Sequence, residues 1–257
     1  MLCAGIDAGS RTIKLAIIEA ESRKVVAKGL LDQGVDHDGR AMYLFNDVLK
    51  SQGLRREDIA RIVATGYTRG GISLADTTIT EITCHATGVR HQVPEARTVV
   101  EIGGQDSKLL WLAADGGVRD FSMNDRCAAG TGRFLEVVAS RLETSLSGLG
   151  ALACLSRQPA AISSMCVVFA ETEIIGLLSA GVPREDIVAG VQAAIASRIV
   201  AMAGTRVTPP VVFTGGVALV SGMAGALQTA LNSPITVAPD PQMTGALGAA
   251  ILAARGK

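Results

Sequence analysis

Two cysteines lie in sequence settings in which a thiolate is suited to binding a metal. Cys127 lies in the run NDRCAAGTGRF and Cys166 in the run SMCVVFAE. Each precedes a segment that is predicted to be helical, and the N-terminal end of a helix stabilises negative charge on sulfur. From the residues alone, a buried structural cysteine is the alternative at both positions.

A glycine-rich turn after Asp7 has the composition of a phosphate site. Gly9 would let backbone amides approach a phosphate without an intervening side chain. Asp7 would hold Mg²⁺ through its water shell, which makes it a catalytic candidate. The candidate nucleotide-binding residues of this turn are Gly9, Ser10, Arg11, Thr12, Ile13 and Lys14. An ordinary hairpin with a glycine turn is the alternative.

A second turn, between residues 101 and 106, repeats this arrangement. Glu101 and Asp106 are candidates for positioning water or a metal, and Gln105 for orienting an attacking water. Gly103 and Gly104, together with Gln105, are the candidates for binding phosphate.

A third element follows the buried apolar run at 211–213. Gly215 and Gly216 would form a helix start that lies against the nucleoside. Each of the three elements is weak evidence alone, but their order favours a nucleotide site over three unrelated turns.

The elements that carry these residues form an approximate internal duplication. Residues 4–7 and 12–18 are predicted to pair as antiparallel strands, and residues 98–102 and 107–112 repeat the pattern. Helical spacing of apolar residues predicts helices near 39–51, 80–89, 134–142, 169–180, 188–203 and 245–254. We expect a first domain at 1–93 that is completed by the C-terminal helix 244–257, and a second domain at 94–243.

Composition excludes several classes of function. Of the 257 residues, 48% are hydrophobic and only 3% aromatic, so the core must be mainly aliphatic. The 24 basic and 24 acidic residues leave no footprint for nucleic acid or anionic lipid. We expect no apolar stretch of the roughly 18–20 residues that a membrane span needs, no signal peptide, and a cytoplasmic protein. Five cysteines in that setting disfavour a disulfide framework.

The order of two phosphate hairpins and a Thr-Gly-Gly turn resembles the acetate and sugar kinase/Hsp70/actin superfamily. Within it, the chain resembles the activator component of 2-hydroxyacyl-CoA dehydratases, in the BadF/BadG/BcrA/BcrD-type ATPase family. The runs that carry this resemblance are GIDAGS, TEITCHA, IGGQDSK, CAAGTGRFLE, FAE and GALGAA. The resemblance implies an α/β fold of duplicated ribonuclease H-like, actin/Hsp70-type domains with a nucleotide cleft between them.

The resemblance also implies an activity. Family members are homodimers in which one 4Fe–4S cluster bridges the subunits, and its ligands map onto Cys127 and Cys166. They hydrolyse ATP to ADP with Mg²⁺ and pass one low-potential electron to a partner iron–sulfur enzyme, after reduction by ferredoxin or flavodoxin. The partner is a 2-hydroxyacyl-CoA dehydratase or, alternatively, a benzoyl-CoA-type or other double-cluster reductase. The resemblance places Gln242 near the adenine; Arg133 either contacts nucleotide or forms a surface ion pair.

Two other classes of function stay open at this point. A small-molecule kinase of the same fold would leave the cysteines without a role, and a nucleotide-switched binding protein would contain no iron. Glu101 stands where the family commonly has Asp, and Arg126 where Lys is common. Cys3 and Cys154 are expected to be small buried hydrophobes, and Cys84 with its neighbour His85 a packing pair.

Overall fold

The computed structural model describes residues 1–163 and 166–256, and these form two compact units. Unit 1 comprises Met1–Glu95, Leu112–Arg119 and Gln242–Lys257, and unit 2 comprises Ala96–Trp111 and Asp120–Pro241. The predicted division at 93/94, with 244–257 returning to the first domain, stays a prediction for the folding domains in solution.

Unit 1 is built on a five-stranded sheet in the order β3-β2-β1-β4-β5. The central β1 pairs antiparallel with β2, as predicted, and parallel with β4. The strands are β1 (Leu2–Ala8), β2 (Thr12–Glu19), β3 (Val25–Asp32), β4 (Ile59–Thr65) and β5 (Thr77–Thr78). The helices are α1 (His37–Ser51), α2 (Glu81–Gln92) and α8 (Thr244–Ala254), with short 3-10 turns at Arg56–Asp58 and Arg69–Gly71.

Both faces of the unit 1 sheet are covered, because alternate residues of β1 enter two different cores. Ala4, Ile6 and Ala8 share a cluster with apolar residues of α1. Cys3 lies in the other cluster, together with α8. A strand buried on both faces needs apolar residues at nearly every position, and β1 has them.

Glycines allow α8 to approach its neighbours closely. A Cβ added to Gly5 of β1 would lie 2.1 Å from the carbonyl oxygen of Ala246, and one on Gly248 of α8 would lie 1.8 Å from that of Cys84 in α2. Neither position can hold a larger side chain without movement of the backbone. The small-residue composition of α8 is therefore what lets strand, α2 and α8 pack as one block.

Unit 2 has a second five-stranded sheet, in the order β10-β9-β6-β7-β8. Its β6 pairs antiparallel with β7 and parallel with β9, which repeats the arrangement of β1, β2 and β4 and confirms the predicted pairing of the second hairpin. The strands are β6 (Thr98–Ile102), β7 (Ser107–Leu112), β8 (Val118–Asn124), β9 (Val211–Thr214) and β10 (Ile235–Val237). The helices are α3 (Gly132–Arg141), α4 (Leu146–Ala153), α5 (Val167–Ser179), α6 (Arg184–Ala203) and α7 (Met223–Leu231), with 3-10 turns at Ala128–Gly130 and Gly216–Leu219.

Helix α6 corrects one expectation from the sequence. By length and composition it would be able to cross a membrane, with a mean hydropathy of 1.5, although no such stretch was expected. Its charged residues lie mainly in the first turn, so the following window is apolar. Half of that window, 50%, is buried inside the protein, and residues such as Ile187, Val191 and Ile195 belong to the core of unit 2. A core helix passes the same test of length and composition, and we assign α6 that role.

Candidate functional site

The turn of the first hairpin holds a carboxylate beside an ammonium group. Asp7 and Lys14 face each other in the register of β1 and β2, and Lys14 Nζ lies 3.3 Å from Asp7 Oδ2. The Gly9 N–H donates to the carbonyl of Thr12 and closes the turn. The same ammonium group lies 3.2 Å from the position that a Cβ on Gly9 would take. Unit 1 thus brings predicted residues Asp7, Gly9, Thr12 and Lys14 together at one end of its sheet.

The other predicted residues of this turn differ in what they offer a ligand. Ser10 is half-buried and Arg11 is exposed, so both side chains lie within reach of solvent. Ile13 is fully buried in the core, so only its backbone is available. Gln242 is half-buried and lies just before Met243, the residue that caps the start of α8.

The turn of the second hairpin repeats this carboxylate–ammonium pairing at shorter distances. Glu101 faces Lys108 in register, and Lys108 Nζ lies 2.9 Å from Glu101 Oε2 and 2.6 Å from Asp106 Oδ2. Glu101 is 4% exposed and Lys108 only 1%. The Gly103 N–H donates to the carbonyl of Asp106, and Gln105 is exposed at the tip of the turn.

Lys108 is the residue that sequence analysis missed at this site. It follows Glu101 at the same spacing at which Lys14 follows Asp7. That shared spacing is the signal from which its position opposite the carboxylate follows, because paired residues in the two hairpins keep the same register.

A threonine followed by a glycine completes each half. Thr65 of β4 lies opposite Asp7, and Thr214 of β9 lies opposite Glu101. Each is followed by a glycine with positive φ, +94° for Gly66 and +91° for Gly215. A Cβ on Gly66 would lie 2.6 Å from Asp7 Oδ1, and one on Gly215 would lie 2.7 Å from Glu101 Oε1. Both positions therefore require glycine for conformation and for space.

Two hydrogen bonds join the turn of the second hairpin to the beginning of α3. The Gly132 N–H donates to the carbonyl of Gly103 at 2.9 Å, and the Arg133 N–H donates to that of Gly104 at 2.8 Å. The Arg133 side chain forms an ion pair with Glu136 at 2.9 Å, and its contact with nucleotide stays a prediction. The backbone of the turn is thus connected to a segment that begins shortly after Cys127.

Cys127 is held by its own loop and touched by a distant helix. The Asn124 side chain accepts a hydrogen bond from the Cys127 N–H at 3.1 Å and donates one to the Cys127 carbonyl at 2.8 Å. Nη2 of Arg198, on α6, lies 3.8 Å from Cys127 Sγ. The thiol is partly buried, and the residue precedes the 3-10 turn Ala128–Gly130.

Cys166 directly precedes α5, which confirms the predicted helix after this residue, and it is exposed. Val168 and Phe169, in the first turn of this helix, are 66% and 69% exposed. Within residues 1–163 and 166–256, no three His, Cys, Asp or Glu side chains form a group able to hold a metal ion.

Of the three remaining cysteines, two are buried and one is exposed. Cys3 and Cys84 are buried, as expected, and burial raises the pKa of the Cys84 thiol to about 12, so this thiol stays neutral. The neighbouring His85 is buried as well, and its Nδ1 lies 2.9 Å from Thr244 Oγ1. Cys154 was expected to be buried and is exposed, because it caps the C-terminal end of the short helix α4.

The sequence of this chain matches a known protein family over nearly its whole length. The sequence profile described as the BadF/BadG/BcrA/BcrD ATPase family matches residues 4–253. The chain is 46% identical to the activator of lactoyl-CoA dehydratase from Anaerotignum propionicum, over 98% of this chain and 97% of that protein. It is 42% identical to the (R)-2-hydroxyglutaryl-CoA dehydratase activating ATPase of Acidaminococcus fermentans, over 97% and 95% of the two chains.

Solved structures confirm the predicted fold class. The activator of the 2-hydroxyisocaproyl-CoA dehydratase from Clostridium difficile, solved with bound ADPNP, superposes with a TM-score of 0.94 at 42% identity, covering 100% of this chain and 95% of that one. A ROK family glucokinase from Streptomyces griseus shares the fold alone, with a TM-score of 0.60 at 13% identity and full coverage of both chains, 100% and 100%. The fold is α/β, of the actin/Hsp70/sugar kinase type.

Proposed function

This chain belongs to the BadF/BadG/BcrA/BcrD ATPase family, and we propose that it hydrolyses ATP to drive single-electron transfer into a 2-hydroxyacyl-CoA dehydratase. The observation that carries the proposal is the pair of hydrogen bonds that ties the turn at Gly103 and Gly104 to the start of α3, beside the Cys127 loop. This connection puts a phosphate-binding turn and a candidate ligand of an iron–sulfur cluster in one continuous piece of unit 2.

The nucleotide is bound, in this proposal, by the two hairpin turns and the Thr-Gly-Gly turn. Backbone amides near Gly9 and Gly104 receive the phosphates, because a glycine leaves those amides accessible. Asp7 would hold Mg²⁺, and the exposed Gln105 would orient the attacking water, with Glu101 and Asp106 positioned by Lys108. The further nucleotide contacts assigned are Ser10, Arg11, Thr12, Ile13, Lys14, Gly103, Arg133, Gly215, Gly216 and Gln242.

Hydrolysis changes the charge that the turn must stabilise, and the turn is hydrogen-bonded to α3. A shift of the Gly103 and Gly104 carbonyls moves their donors, the Gly132 and Arg133 N–H groups. Those groups lie in the segment that follows Cys127. The position of the Cys127 sulfur is thereby linked to the state of the phosphate site.

The chemistry of the thiols fits a 4Fe–4S cluster that is shared by two chains. Cys127 and Cys166 are each half-buried or exposed, so both sulfurs are within reach of a partner, whereas Cys84 is buried and neutral. A cubane cluster takes four thiolates, and two per chain complete that set only if two copies meet. When bound, the cluster supplies a low-potential one-electron couple.

Apolar residues around Cys166 support a homodimer. Val168 and Phe169, which follow Cys166 in the first turn of α5, are 66% and 69% exposed in the single chain. Exposed large apolar side chains of this kind mark protein interaction sites when they cluster, and a second copy would cover those beside the cysteine. The dimer and the cluster are thus one claim. We further propose a cytoplasmic location and ferredoxin or flavodoxin as electron donor.

Iron and sulfide analysis of anaerobically purified protein tests the proposal. We expect one 4Fe–4S cluster per two chains and an EPR signal after reduction with dithionite. Cys127→Ser and Cys166→Ser should abolish both, while Cys154→Ser, which removes another exposed thiol, should retain them. A protein that takes up no iron on anaerobic reconstitution but still binds ATP would instead be a kinase or a nucleotide-switched binding protein.

ATP hydrolysis is tested separately, with Mg²⁺ and without a partner enzyme. Asp7→Asn should lose most of the hydrolysis rate, because the amide removes the charge that holds the metal ion. Asp47→Asn, on the exposed face of α1, removes an equal charge in unit 1 and should leave the rate unchanged. Equal rates in the two variants would refute the role assigned to Asp7.

A further inference from the structure

The half-buried side chain of Arg198 reaches the sulfur of Cys127 from a helix that is anchored in the unit 2 core. It lies on α6, whose neighbouring residues Ile195, Ala196 and Ile199 are fully buried. Its Nη2 is 3.8 Å from Cys127 Sγ, within hydrogen-bonding distance for sulfur. The helix is anchored by its apolar residues, so the guanidinium is presented to the cysteine by a rigid element.

The cysteine is fixed from the opposite direction. Asn124 bonds both the N–H and the carbonyl of Cys127, which sets the orientation of its peptide groups. The 3-10 turn that follows packs against α6, where a Cβ on Gly130 would lie 3.4 Å from Arg198 Cβ. Loop and helix therefore hold the sulfur and the guanidinium against each other.

A guanidinium in this position acts on an iron–sulfur cluster through charge and hydrogen bonding. It is always protonated and presents several N–H donors in a planar fork. Hydrogen bonds to the cluster sulfurs and local charge are among the factors that set the reduction potential of a cluster. A cation stabilises the reduced state, which carries one more negative charge than the oxidised state.

We propose that Arg198 donates a hydrogen bond to the Cys127 sulfur and raises the reduction potential of the cluster that this cysteine binds. The inference rests on the proposed function, since it takes Cys127 to be a ligand. It adds a residue, far away in sequence, that determines how readily the cluster accepts the electron from its donor.

A redox titration of the reconstituted protein, followed by EPR, tests this role. Arg198→Met removes charge and donor, and Arg198→Gln keeps an N–H donor without the charge. At a fixed solution potential, we expect the ratio of reduced to oxidised cluster to fall about tenfold in Arg198→Met, which corresponds to about 59 mV for a one-electron couple. Arg198→Gln should lie between this variant and the wild type.

Arg126→Met is the matched control, because it removes the same charge next to Cys127. The Arg126 side chain is 95% exposed and lies 3.9 Å from Asp125, so water screens it. A shift equal to that of Arg198→Met, or no shift in either Arg198 variant, overturns the proposal. If Arg198→Met holds no iron, Arg198→Gln decides: a potential equal to that of the wild type overturns the proposal, and a lower potential supports it.

Iron content separates this inference from the proposed function. Wild-type protein that takes up no iron refutes the cluster and the role of Arg198 together. Iron-loaded protein whose potential does not respond to Arg198 refutes the role of Arg198 alone.

Discussion

Removing the charge of Lys108 should destabilise unit 2 more than removing the charge of an exposed residue would. Lys108→Met keeps a long apolar stem but removes the ammonium that lies 2.9 Å from Glu101 and 2.6 Å from Asp106. Breaking a buried ion pair from one side typically costs about 3–5 kcal/mol. Water can partly replace the cation at Asp106, whose side chain is 21% exposed, but hardly at Glu101, whose side chain is 5% exposed. We therefore expect the free energy of unfolding to fall by about 3 kcal/mol, at the lower end of that range.

Urea unfolding of metal-free protein, followed by tryptophan fluorescence, measures this loss directly. The chain has one tryptophan, Trp111, which is 1% exposed on β7, the strand that carries Lys108. Its fluorescence therefore reports the unfolding of unit 2.

Two further variants make the test specific. Lys108→Met combined with Glu101→Gln should recover much of the loss, since the buried charge is then absent on both sides. Lys50→Met, at an exposed position of α1, serves as the control. A loss of less than about 1 kcal/mol, as for an exposed pair, would refute the reasoning.

Two other predictions concern unit 1 packing and thiol reactivity. Gly248→Ala should lower stability by about 1–3 kcal/mol, because its Cβ would lie 1.8 Å from the Cys84 carbonyl oxygen; thermal unfolding measures this, and Gly225→Ala, in open space on α7, should not destabilise. In metal-free native protein, iodoacetamide should label the exposed Cys154 and Cys166 but not Cys84, which is buried and has a pKa raised to about 12; mass spectrometry of peptides identifies the labelled sites, and rapid labelling of Cys84 would contradict its burial.

The hairpins were predictable because their information is local. Strand, carboxylate, glycine turn and second strand all occur within a short run of sequence, twice, and the structure has both hairpins in the expected pairing. The third element was predictable as a strand and a turn, although Gly216–Leu219 forms a 3-10 turn rather than the start of an α-helix.

Other features depend on contacts between residues that are distant in the chain, and such contacts cannot be predicted from a single sequence. The contact of Arg198 with Cys127 joins residues from two separate elements of unit 2, and nothing in either local run indicates it. Helix α4 is apolar on nearly all sides, so its sequence has no helical periodicity that would predict the exposure of Cys154. Helix α7 and the short strand β10 were not predicted at all, because brief apolar runs fit several structures.

The packing of α8 has a consequence for how the protein is made. Its residues cover Cys3, Ala16, Ile18 and Val63 of the unit 1 sheet, yet the ribosome produces α8 only after the whole of unit 2. One apolar face of the nascent sheet therefore stays uncovered while unit 2 is translated and becomes free to fold. Completion of the N-terminal half is thus delayed until unit 2 has been translated, and until then a chaperone that shields this face would be of most use.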